Sequence, residues 1–126
     1  MGELERVLAS LDVVREPGVF VVAKLPAGAE PPSGTRAQIR ERDGLTVVLP
    51  REEALAAGLP FVFESAWLTL TVDTSFELVG LTAAFASRLA EAGVPANVLA
   101  GYHHDHILVP VDRAEDAIAA LRSLRA

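Results

Sequence analysis

The hydrophobic period changes repeatedly between Trp67 and the end of the chain, and this pattern constrains the fold most. Residues 61–72 read as mostly strand, with Leu68, Leu70 and Val72 on one face. Leu78, Leu81, Thr82, Phe85, Leu89 and Ala92 then recur at helical spacing, with Glu77, Arg88 and Glu91 opposite. Thr74 and Glu77 make a capping box for that helix, Gly93 ends it and Pro95 prevents its resumption. Strands follow at residues 96–101 and 106–111, separated by a polar turn. Asp112, with Glu115 three residues on, caps a last helix whose buried face is Ala114, Ala117, Ile118, Leu121 and Leu124. The order strand, helix, strand, strand, helix implies an α+β fold with helices packed against one sheet.

The first half is less regular. Leu4, Val7, Leu8 and Leu11 predict a short amphipathic helix, and residues 18–25 a buried strand. Residues 26–34 form a loop rich in proline and glycine. Residues 37–42 and 45–49 predict two strands around an Asp43-Gly44 turn. Residues 50–57 read as a short helix, closed by Gly58. No residue-level repeat links the halves, although two copies of one βα unit, the first degenerate, would give this order.

A chain of 126 residues buries enough surface to fold without a staple. It holds no cysteine, which excludes disulfides, thiolate zinc sites, iron–sulfur clusters and cysteine nucleophiles. The net charge is −6; residues 1–63 carry 7 basic and 9 acidic groups and residues 64–126 carry 4 and 8. Neither half has the basic stripe that nucleic acid requires. No apolar stretch suffices for a membrane span, and the first residues carry no signal-peptide or myristoylation pattern. The expectation is a cytoplasmic protein with no nucleic-acid or membrane partner.

Residues 69–110 contain Leu-Thr-Val-Asp-Thr-Ser-Phe-Glu-Leu-Val-Gly-Leu, a long helix, and Ala-Gly-Val-Pro-Ala-Asn-Val-Leu-Ala-Gly-Tyr-His-His-Asp-His-Ile-Leu-Val-Pro. This resembles the ACT domain, and more narrowly the small bacterial tandem-ACT proteins related to the eukaryotic cytosolic arginine sensors. The motif-level match covers about a third of the chain. The resemblance implies two ferredoxin-like units, 1–64 (degenerate) and 65–126, sharing or abutting antiparallel sheets. It also implies a regulatory module without chemistry of its own, binding a small ligand, most often an amino acid, at the interface between units.

The residues suit that task. Asp73, Thr74, Ser75 and Phe76 lead from a strand end into a helix N-terminus, whose free N–H groups favour an α-carboxylate. Gly80, preceded by Val79 where ACT domains often have proline, lets a backbone or ligand approach. Asn97 can hydrogen-bond a ligand, Gly101 permits a sharp turn, and Asp105 can hold an ammonium group. The hairpin position in the arginine sensors adds Tyr102, His103 and His104. A purely structural account fits the same residues. Asp73, Thr74 and Glu77 would then cap the helix, Gly80 and Gly101 serve packing, Asn97 pair with a strand and Asp105 stand in a turn.

All three histidines fall in the run His103-His104-Asp105-His106. On a strand, His104 and His106 share one face and His103 and Asp105 the other, so neither face completes a metal site. Only a distant carboxylate such as Glu64 or Asp73 could, and no metal or other cofactor is expected. Ser65, Ser75 and Ser87 lack a nucleophile-elbow setting and no phosphate loop is present, so no catalytic residue is assigned. The expected function is an amino-acid sensor, not an enzyme, acting alone, as a homodimer or on a client protein. A ligand-free dimerisation module is the second reading, and a small metal-dependent enzyme built on the histidine turn the third.

Overall fold

The computed structural model describes residues 2–72 and 75–125. The chain forms two compact units: Pro17–Ser65 make one, and the segments before and after it together make the other. In order, the elements are α1 (Glu3–Ser10), β1 (Val13–Arg15), β2 (Phe20–Leu25), β3 (Ala37–Glu41), β4 (Gly44–Pro50), α2 (Arg51–Ala56) and β5 (Phe61–Leu70). After these come α3 (Leu81–Glu91), β6 (Asn97–Ala100), β7 (Asp105–Pro110), a 3₁₀ turn (Val111–Arg113), α4 (Ala114–Arg122) and a second 3₁₀ turn (Ser123–Arg125). The strands pair antiparallel, and with the helices they make the expected α+β fold of two ferredoxin-like units.

In the smaller unit β4 lies between β3 and β2, and β2 pairs in turn with the start of β5. The expected hairpin is present, but its turn is Arg42-Asp43, not Asp43-Gly44: Glu41 already pairs with Gly44, the first residue of β4. Val21, Ala23, Leu25, Val47 and Leu49 meet Ala54 of α2 in its core. The ladder between β2 and β5 shifts register around Val21, where Phe63 takes a positive φ of 59°. Two residues there face one, a β-bulge. Beyond it the fully buried Ser65 is held by donating its hydroxyl to the Phe20 carbonyl at 2.7 Å.

In the larger unit the end of β5 is flanked by β1 and β7, with β6 beyond β7. β1, which sequence periodicity does not reveal, pairs Val13 with Leu70 and Arg15 with Leu68. Further bonds from the Thr71 N–H to the Asp12 carbonyl and from the Glu16 N–H to the Trp67 carbonyl extend this ladder. One face of the sheet supplies Val13, Ala66, Leu68, Leu70, Ile107 and Val109, which pack against Leu81, Phe85 and Leu89 of α3 and the apolar face of α4. Leu4, Val7 and Leu8 of α1 lie partly buried on this core, and Leu11 is wholly inside it.

Both expected helix caps are displaced. The helix α3 begins at Leu81, not beside Thr74, and its N-cap is Gly80. Glu77 therefore stands in the preceding loop and cannot complete a capping box; Thr74 lies outside the described residues. At the last helix a 3₁₀ turn absorbs Asp112, so α4 is entered from Arg113 with no side-chain cap. The buried stripe of α4 is as expected, whereas Thr82 of α3 and Ala92 just past its end are exposed.

Candidate functional site: a pocket between a helix start and a hairpin

Gly80 sets the geometry. Its φ of 104° reverses the chain into α3, a conformation that residues with a Cβ adopt only with strain. Gly80 has no side chain with which to cap the helix, and the first turn of α3 carries the positive end of the helix dipole. Opposite stands the β6–β7 hairpin. Ala100 faces Asp105 across the ladder, and the Gly101 N–H donates to the His104 carbonyl at 2.9 Å, closing a tight turn.

Between them lies a cavity of about 160 Å³. The loop before α3 contributes Ser75, Phe76 and Leu78, and the first turn of α3 contributes Leu81 and Thr82. Ala100 and Gly101 close it from the end of β6, and Asp105 from the start of β7. Phe76 and Tyr102 meet edge to face at 6.2 Å, and both are largely exposed. Among the described residues, a carboxylate, two hydroxyls and a helix start thus share a small pocket with apolar walls.

One ACT-domain family model matches residues 1–66 and a second matches residues 62–123. The chain belongs to the ACT-domain family. It is 41% identical to a Vibrio cholerae protein of unknown function, named a "possible transport protein"; the match covers 98% of this chain and 96% of that one, with a TM-score of 0.86. The regulatory subunit of aspartate kinase from Thermus thermophilus, in its ligand-free form, is 12% identical, covered at 89% and 95%, with a TM-score of 0.63. Escherichia coli aspartokinase III, in complex with aspartate and ADP, is also 12% identical at a TM-score of 0.63; 90% of this chain matches 32% of that one. These last two likenesses concern the fold. Among curated proteins none matches.

Within the larger ACT unit, the pocket brings together only some of the residues expected to form a site. Ser75, Gly101 and Asp105 line it. Asp73 and Thr74 lie outside the described residues. Glu77 is exposed, and its N–H donates to the Ser75 hydroxyl at 3.3 Å. Val79 points to solvent at 85% exposure. Gly80 shapes the pocket without lining it, since a Cβ there would sit 2.8 Å from Cδ2 of Leu4 on α1. Asn97 is exposed at the far end of β6, opposite Leu108. Tyr102 and His103 are exposed on the turn, their rings 4.8 Å apart, and the His104 ring is 6.2 Å beyond.

Leu78, Leu81 and Thr82 were not expected at the site. Leu78, Leu81 and Thr82 read as core stripe; the late start of α3 is what turns Thr82 toward the pocket. β7 begins at Asp105, so the strand alternation applied to His103 and His104 does not hold: both belong to the turn. His106 alone lies within the strand. Trp67 shares its indole N–H between Thr69 Oγ1 at 3.2 Å and His106 Nδ1 at 3.3 Å. Thr69 Oγ1 and His106 Nδ1 are themselves 2.9 Å apart. Among the described residues, no three His, Cys, Asp or Glu converge as metal ligands, and no helix is long and apolar enough to cross a membrane.

Proposed function

We propose that this chain is a regulatory module that binds a free amino acid in the pocket between the start of α3 and the β6–β7 turn. Membership of the ACT-domain family supports a regulatory, small-ligand-binding role. The single observation that carries the amino-acid reading is the placement of Asp105 and the first turn of α3 around one small cavity. An α-ammonium needs a carboxylate partner, and an α-carboxylate is favoured by free N–H groups at a helix start. The Ser75 and Thr82 hydroxyls supply further hydrogen bonds.

The test is a thermal-shift screen of the whole chain against the L-amino acids. A ligand at a hundredfold excess over Kd stabilises the folded state by about 2.7 kcal/mol, enough for a clear rise in Tm. Asp105→Asn should weaken binding by roughly tenfold to a hundredfold, the worth of a hydrogen bond to a charged group. Binding left intact by that substitution would refute the assignment of Asp105. The exposed Phe76, Val79 and Tyr102, at 72%, 85% and 81%, favour a second reading in which this rim also meets another copy or a client protein. Sedimentation of Val79→Ser against the parent chain checks it: a fall in oligomer size is expected.

A further inference from the structure

Three polar side chains meet on the sheet face turned away from the helices of the larger unit. Leu68 and Leu70 of β5 and Ile107 and Val109 of β7 enter the core, so strand alternation turns Trp67, Thr69 and His106 to the opposite face. There the Trp67 indole N–H is shared between Thr69 Oγ1 and His106 Nδ1, and Thr69 Oγ1 stands 2.9 Å from the same ring nitrogen. An indole N–H can only donate. His106 Nδ1 is therefore the acceptor, and in this arrangement the imidazole is neutral with its proton on Nε2.

The far edge of the same ring packs on the β6–β7 turn. A Cβ built on Gly101 would lie 2.9 Å from His106 Nε2 and 3.4 Å from Cδ2. One imidazole thus ties β5 to the turn that the Gly101 N–H closes on the His104 carbonyl. Protonation at Nδ1 would set an N–H and a positive charge against the Trp67 N–H. The rings are 5.3 Å apart and tilted by 51°, and the indole meets His106 with its positive N–H edge, so a cation gains nothing from the negative ring face. Among the described residues, the neighbours on the adjoining strands are uncharged: Leu99 opposite His106 on β6 and Val14 opposite Thr69 on β1. The titratable groups beside the cluster are Glu16, whose N–H binds the Trp67 carbonyl, and His104 and Asp105 of the hairpin itself, Asp105 being turned to the pocket. A hydrogen bond accepted by the neutral ring opposes its protonation, so the tie is complete above the histidine range and is lost as pH falls through it.

We propose that His106 is a pH-sensitive latch on the β6–β7 turn, closed when neutral and released when protonated, so that acidification loosens residues 101–104 whatever the pocket holds.

Trp67 is the chain's only tryptophan, so indole emission from the full chain reads this cluster directly. Between about pH 8 and 5, where imidazoles change charge, emission should change in a single one-proton transition. The ring-proton shifts of His106 in NMR spectra should titrate with the same midpoint, and the protection factor of the Gly101 amide should fall about tenfold or more across it. His106→Asn keeps a side-chain acceptor that does not titrate; it should abolish the emission change and hold Gly101 protected at both ends. His104→Asn should leave the transition in place. Equal Gly101 protection on both sides of the His106 titration would overturn the latch in the parent chain alone. A transition that survives His106→Asn, or disappears with His104→Asn, would overturn it as well.

Discussion

Two glycines shape the pocket for different reasons. At Gly80 the obstacle is the backbone: φ is 104°, and the nearest atom to an added Cβ is the mobile end of Leu4. Gly80→Ala should therefore cost about 1–2 kcal/mol, mostly backbone strain, read as a lower urea midpoint. At Gly101 the obstacle is the His104 carbonyl oxygen, 2.7 Å from where a Cβ would stand, so Gly101→Ala must open the turn. Its expected signature is weakened amino-acid binding together with a loss of stability. Asp12 offers a pH test. Its carboxylate accepts the Val13 N–H and the guanidinium groups of Arg122 and Arg125, and these hold it below the usual carboxylate range. A group whose pKa is lower folded than unfolded contributes fully above the unfolded value, about pH 4, and loses that contribution as pH falls through the folded one. Asp12→Asn should accordingly flatten the acid limb of stability below about pH 4 and leave its slope near neutrality unchanged. Of the site, Asp105 and Gly101 were legible because a turn carboxylate and a turn glycine announce themselves locally. Thr82 was not, because its direction depends on where α3 starts.

Element positions followed from periodicity, but their ends did not. The buried spacing of Leu81, Phe85 and Leu89 in α3, and of Ala114, Ala117, Ile118 and Leu121 in α4, is the expected 3.6-residue pattern. Phe85 is wholly buried between sheet and helices, so Phe85→Ala should cost roughly 3–5 kcal/mol in chemical denaturation. The caps misled because a Thr or Asp three residues before an acid is a local pattern. Whether the helix uses it depends on the route the chain takes to reach the core. In α3 that route runs through Gly80, and in α4 through a 3₁₀ turn after Pro110. β1 escaped notice for a related reason: three residues are too few to show a period, and its partner β5 lies more than fifty residues away.

At the scale of the molecule, the first sixteen residues belong with the last sixty-one, and Pro17–Ser65 form the intervening unit. Leu11 and Val13 enter the core built by β5, β7, α3 and α4. The amides of Val13–Arg15 should thus exchange with solvent as slowly as those of the paired end of β5, measured by native-state hydrogen exchange. Leu11→Ala should speed both sets together at a cost of about 2–5 kcal/mol. Sequence by itself determined the α+β class, the ACT resemblance, the hairpin of β3 and β4 and the apolar faces of the helices, since each rests on neighbours a few residues apart. Tertiary structure decided the start of α3, the pairing of β1 with β5 and the meeting of residues 75–82 with 100–105 around one cavity. These depend on contacts between distant segments, where burying a shared core outweighs local capping preference.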